Sequence, residues 1–316
     1  MLRNKLFFLV VSIALLSGVW SIFWFVRSNI TENTVQSFLD EGNSDWEFDY
    51  SDISIRGFPN RTDLRIHDLR ITNRYNATDF ILGDLNILSL VYNWNDFIVV
   101  FAPLQSVVIG GVEYIVDSDY PRSSLSLNNR SGIPLNSFIT EIKQTSVTTS
   151  EETNLNLDSG LFAIKPDETN PDTFLVHLNL NDIALSNTRT QFALEPFNFV
   201  VNGEVLISGS DSSQCISVEE INLSSLNFDF DEFGLHLKGE LKNEFGLPNG
   251  SLLINLEGTK VKFFELLLTN GLLSRTQFAM ISRLPIDSFE IQIVDGSMNF
   301  MNLVDIKVLD SFPEFC

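Results

Sequence analysis

The chain opens with Leu6–Val26, 21 residues without a charge, about the 20 a helix needs to cross a bilayer core of roughly 30 Å. Trp20 and Trp24 lie toward its far end, where amphipathic rings favour the membrane interface. Thr31 and Glu32 then open a short helix whose stripe is Val35, Phe38 and Leu39 and whose stop is Gly42. Beyond it the period falls to two. Trp46, Phe48 and Tyr50 alternate with Glu47 and Asp49, and Ile53 and Ile55 resume out of phase, which places a bulge near Ser51. Gly57-Phe58-Pro59 turns the chain, and Leu64, Ile66, Leu69 and Ile71 alternate with polar neighbours after one slip. The pattern predicts a hairpin with one wet and one dry face.

Phe80–Phe101 is the most apolar stretch after the first, interrupted by a turn at Asn93–Asp96. Ser106–Val116 reads as one strand weakened at Gly110-Gly111, and Asp117–Pro134 as loop, with Asp117 and Asp119 at a turn. A triplet of apolar, Asn, apolar then recurs as Leu155-Asn156-Leu157, Leu178-Asn179-Leu180, Ile221-Asn222-Leu223, Leu226-Asn227-Phe228 and Ile254-Asn255-Leu256. Leu85-Asn86-Ile87 and Met298-Asn299-Phe300 are outlying copies. An outward Asn between inward neighbours suits a half-buried strand, and the irregular spacing argues against a solenoid. Val261, Phe264, Leu267 and Leu268, stopped by Asn270-Gly271, mark one helix; the capping box Ser274/Gln277 opens another that Pro285 ends. They pack on a sheet or lie on a membrane. Strands at Phe289–Val294 and Met298–Val308 close the chain. The expected fold is mainly β: a long antiparallel meander sheet with a small helical layer, preceded by one transmembrane helix. Residues 1–27 would be the anchor and 28–316 one β-rich body.

Arg3 and Lys5 precede the apolar run and Arg27 follows it, so the positive-inside rule keeps the amino end in the cytoplasm and sends the body across. A cleaved signal is the rival reading, but Val19–Val26 stays bulky past the small residues Ser17 and Gly18. Lys and Arg total 20 against 41 Asp and Glu, a formal charge of −21. Such a surface repels nucleic acid and anionic lipid heads, so both drop sharply as expected partners, and it keeps an exported body soluble. Cys215 and Cys316 fall in a compartment that permits disulfides; whether they pair stays open, since Cys316 is the last residue.

No Walker loop, dinucleotide fingerprint, paired-His metal motif or nucleophile elbow occurs. Ser208-Gly209-Ser210 reads as a loop, and His67, His177 and His236 occupy wet strand faces. Asp229, Asp231 and Glu232 read as solvated carboxylates without the spacing of a calcium loop. No catalytic residue, metal or cofactor is expected. What stands out is 27 Phe against 5 Tyr. A phenyl-rich sheet face is either closed by a second layer or left as a groove for acyl chains. For the groove the candidate residues are Phe58, Leu64, Ile66, Leu85, Ile87 and Phe97.

Three blocks carry a family resemblance: Ile55-Arg56-Gly57-Phe58-Pro59-Asn60-Arg61, then Leu90-Val91-Tyr92-Asn93-Trp94-Asn95-Asp96-Phe97-Ile98-Val99, then Val294-Asp295-Gly296-Ser297-Met298 followed by Phe312-Pro313. Together with the N-terminal span they resemble the domain-of-unknown-function 2125 family of Gram-negative inner-membrane proteins. That family brings no assigned activity. By architecture the chain is also similar to AsmA-like envelope proteins, which implies lipid handling. The expectation is a non-enzymatic protein of the inner membrane, its body in the periplasm, binding or guiding lipid in envelope maintenance. The alternative is a structural module that recruits another envelope protein through its sheet edge or acidic face. Expected partners are therefore the inner membrane, lipid and an envelope protein, with no nucleic acid.

Overall fold

The computed structural model describes residues 2–42, 46–74, 78–128, 133–189, 191–209, 216–269, 274–281, 287–300, 304–307 and 314–315. Cys215, Cys316, Ser210, Asn270-Gly271, Pro285 and Phe312-Pro313 lie outside them. The chain divides into two compact units, Met1–Leu127 with Thr145–Glu152, and Asn128–Gln144 with Thr153–Cys316.

In the first unit, α1 (Leu2–Glu41) is one helix of 40 residues, long and apolar enough to cross a membrane. The sequence reading split it into a span and a separate short helix; the structure joins them. No Gly or Pro occurs from Val19 to Glu41 to break it. Every residue from Phe7 to Trp20 is exposed, and Gly42 closes the helix by donating its N–H to the Phe38 carbonyl at 3.1 Å.

β1 (Trp46–Asp49) and β2 (Asp52–Arg56) lie end to end along β3 (Arg61–Asn73) in a single register. The bulge expected near Ser51 sits on the partner strand instead. Asp68 takes a φ of 55°, and the pairing of β3 with β4 (Asp79–Leu90) slips between Ile66 and Leu69. That slip keeps Leu64, Ile66 and Leu69 on one buried face, where they meet Leu39 of α1 and Leu85 of β4. Each such burial stabilises by about 1.5–3 kcal/mol.

The turn at residues 91–95 leads to β5 (Asp96–Val100), followed by β6 (Leu104–Ile109) and β7 (Val112–Leu127). Here two expectations fail. Gly110 and Gly111, both at positive φ, form a two-residue hairpin turn rather than a weak point within one strand. The stretch expected as loop from Asp117, including Asp117 and Asp119, is strand as far as Leu127. Its inward positions Ser118 and Ser123 are polar yet buried, and Ser118 Oγ lies 2.7 Å from Thr145 Oγ1.

After β8 (Leu135–Thr149), the second unit runs through β9 (Thr153–Pro166), β10 (Thr173–Asn187), the two-residue β11 (Phe192–Ala193), β12 (Phe197–Gly209), β13 (Ile216–Phe230), β14 (Phe233–Glu244) and β15 (Leu247–Gly258). Helices α2 (Lys260–Thr269) and α3 (Arg275–Ile281) precede β16 (Ser288–Val294), β17 (Ser297–Phe300), β18 (Val304–Lys307) and β19 (Glu314–Phe315). The pairings β9–β10–β12–β13–β14–β15–β16 are all antiparallel, so the unit is a meander, as the sequence pattern predicts. All seven apolar-Asn-apolar triplets lie on strands.

Candidate functional site

The second unit's sheet carries the largest candidate surface. Opposed residues in an antiparallel sheet share a face, so the registers can be read across the strands. One row runs Phe162, Leu178, Val201, Leu226, Leu237, Ile254, Phe289. The next runs Ile164, Val176, Gly203, Leu223, Gly239, Leu252, Ile291. A third, Pro166, Phe174, Val205, Ile221, Leu241, Gly250, Ile293, lies beyond it. On the other side lie Gly160, Leu180, Phe199, Phe228, Leu235 and Leu256.

No polar side chain interrupts these four rows. At about 4.8 Å per strand the face is about 29 Å across. Toward β15 and β16 its residues are buried (Ile254, Leu256, Phe289, Ile291, Ile293), whereas most of those on β9, β12, β13 and β14 stay half-buried.

Two features shape this face. Phe199–Phe228, Phe197–Phe230 and Phe230–Phe233 place ring centroids 4.7, 4.8 and 4.5 Å apart, an aromatic ladder at one end. At Gly239 and Gly250 the facing backbone comes so close that a Cβ would lie 2.1 and 2.0 Å from the carbonyl oxygens of Ser251 and Glu240. Only glycine fits such an approach between neighbouring strands.

The reverse face is mixed, with polar residues interleaved among Leu161, Leu175, Val200 and Leu253. His177 Nδ1 lies 2.7 Å from Asn202 Oδ1, and Asn202 donates to Ser225 Oγ at 2.9 Å. His236 pairs across with Asn227 and Asn255, its Nδ1 3.0 Å from Asn227 Oδ1. His67, in the first unit, has its Nδ1 3.1 Å from Asp84 Oδ1. All three histidines thus sit in hydrogen-bonded rows. Among the described residues no group of three His, Cys, Asp or Glu is placed to hold a metal ion.

The six residues proposed from the sequence all fall in the first unit. Leu64, Ile66 and Leu85 are buried core, Leu64 and Ile66 only 4% and 3% exposed. Phe58 is 51% exposed and packs its ring 5.4 Å from Trp24 and 6.0 Å from Phe25. Leu64, Ile87 and Phe97 line a cleft of about 440 Å³ beside α1, closed by Ile30, Val35 and Leu125. The structure therefore brings three of the six to one cavity. The four apolar rows of the second unit were missed. Their traces in the sequence are the recurring triplets and the Phe excess, but the pattern does not say which strands adjoin.

A helix long and apolar enough to span a membrane and a long antiparallel meander define a mainly β protein with one candidate membrane anchor. The family model described as an uncharacterized protein conserved in bacteria (DUF2125) matches residues 24–284, and the chain belongs to that family. Of the resembling blocks, the first two fall within the match and the ending falls beyond it. No curated protein and no solved structure matches the chain.

Proposed function

We propose that the protein is a non-enzymatic, membrane-tethered lipid-handling protein. The second unit's apolar sheet face takes up acyl chains, α1 holds the chain in the inner membrane, and the body stands in the periplasm. The observation that carries this reading is the set of four uninterrupted apolar rows. A contiguous apolar face left half-buried over several strands is the kind of patch that marks an interaction surface. A chain tethered to a bilayer has acyl chains as its most abundant apolar neighbour.

The test uses the register. A photoreactive aromatic residue is placed at Phe228, on the apolar face, or at Asn227, one residue away on the reverse face. The full-length protein is irradiated in native membranes and analysed by mass spectrometry. Lipid adducts at 228 and none at 227 are expected. Equal lipid labelling at both, or none at 228, overturns the reading. A single discrete protein adduct at 228 instead favours the recruitment of another envelope protein.

A further inference from the structure

Among the described residues of the first unit, two arginines keep buried N–H groups without a partner, Arg65 at Nε alone and Arg27 at two nitrogens. Arg27 of α1 is 6% exposed, and its Nε and Nη1 are buried with no hydrogen-bond partner. The ring of Trp94 lies 3.9 Å from its guanidinium carbon, which offsets charge but leaves the N–H groups unsatisfied. Leaving such donors buried and bare is costly. Thr62 Oγ1 is likewise buried and unpartnered. Both residues line the cleft that Leu64, Ile87 and Phe97 share. In a chain with 41 acidic residues, no Asp or Glu among the described residues lines this cleft. Two donors, one of them cationic, thus stand in a cavity whose other walls are largely apolar. That is the donor set of a site for an amphiphile with an anionic head.

The height of the site agrees. A bilayer core takes up about 20 helical residues, which Leu6 to Phe25 supply, so Arg27 emerges among the headgroups. The Trp20 and Trp24 indoles donate to the Pro59 and Arg61 carbonyls at 2.9 and 2.7 Å, bringing the turn that carries Phe58 to the same level. The Val91 N–H, donated to Asn60 at 3.0 Å, draws in the neighbouring turn. There Tyr92 and Trp94 are 67% and 59% exposed, as interfacial aromatic rings are. The net acidity of the chain acts at long range and is screened within about 10 Å. It does not oppose an anion held at Arg27 itself.

We propose that this cleft is a lipid site in which Arg27 and Thr62 grip an oxyanion head, a phospholipid phosphate or a fatty-acid carboxylate, and one acyl chain lies along Ile30, Val35, Leu64, Ile87 and Phe97. The proposal shares the membrane-spanning α1 with the function proposed above, but it does not rest on the second unit's sheet.

The test is native mass spectrometry of the full-length protein in nonionic detergent, titrated with dioleoyl phosphatidylglycerol, palmitate or dioleoylglycerol. One phosphatidylglycerol or one palmitate per chain is expected, at least tenfold tighter than the uncharged dioleoylglycerol; which of the two wins identifies the head. Arg27→Gln should weaken binding about tenfold or more, the scale of a charge-assisted hydrogen bond, and Thr62→Val less. Val99→Trp, which fills the cleft while keeping Arg27, should block binding with the fold intact by circular dichroism. Equal binding of dioleoylglycerol, or anion binding unchanged in both Arg27→Gln and Val99→Trp, overturns this site. Neither result bears on adducts at Phe228.

Discussion

The two units contain the same strand in different surroundings. Leu64-Arg65-Ile66-His67-Asp68-Leu69-Arg70-Ile71-Thr72-Asn73 of β3 aligns residue for residue with Leu178-Asn179-Leu180-Asn181-Asp182-Ile183-Ala184-Leu185-Ser186-Asn187 of β10. Both place an Asp at a φ of 55°, and both slip register there, between Ile66 and Leu69 and between Leu180 and Ile183. The device lets an apolar residue after the bulge return to the inward face. After the bulge Leu69 and Ile183 are both buried; before it the cover differs. Leu64 and Ile66 pack with Leu39 of α1 and are buried, whereas Leu178 and Leu180 stay half-buried. The strand sets which side is apolar; what lies over it decides whether that side is core or surface.

Four measurements can break or sharpen this comparison. The largest effect is expected from core truncation: Ile66→Ala should cost about 2–5 kcal/mol of unfolding free energy, and Leu180→Ala about 1 kcal/mol, since less area leaves water. Equal losses in chemical denaturation of the two variants would mean that the faces are equally covered.

The bulges come next. Asp68→Val and Asp182→Val force a branched side chain to positive φ and should each cost about 1–3 kcal/mol, while Asp68→Gly and Asp182→Gly stay near the parent. A silent Asp182→Val would mean that the second bulge is not held.

Acid stability of the first unit gives a smaller signal. Arg70 donates through Nε to both oxygens of Asp79, at 2.9 and 3.0 Å, and so holds that carboxyl below its usual range, with Thr72 assisting. A depressed carboxyl stabilises the fold above its unfolded value, near 4, and that contribution fades as pH falls through the folded value. Asp79→Asn should therefore lower melting at pH 8, where that contribution is present in full, and flatten its pH dependence below about pH 5. The smallest effect is expected at Lys242, an exposed partner of Glu240 and Glu220. Lys242→Ala should shift stability by less than about 1 kcal/mol.

Much of this fold can be read from the amino acids. The apolar run, the hairpin around Gly57-Phe58-Pro59 and the triplet-bearing strands each declare themselves through local period. The failures have physical reasons. β7 hides its inward face behind Ser118 and Ser123, and the hydroxyl partner of Ser118 is Thr145, 27 residues away in the chain. Gly110-Gly111 weakens a strand or turns a hairpin, and only pairing decides which. The site was half legible. Leu64, Ile87 and Phe97 were marked by alternation, but Arg27 reads from sequence as a flanking positive charge, and its lack of a partner is a property of packing. The apolar rows combine residues from seven strands between Thr153 and Val294, and no local window contains them.

The indole bonds from Trp20 and Trp24 to the turn after β2 have a mechanical consequence. A helix of 40 residues is about 60 Å long, about twice the roughly 30 Å of a bilayer core. Because that turn is bolted straight to α1, the first unit rides on a mast and not on a leash. Any tilt of the rod tips the unit with it, and no slack lets the unit roam in search of cargo. With α1 set in a bilayer as proposed, the unit's reach is fixed at that surface, and a lipid bound in its cleft has to arrive there.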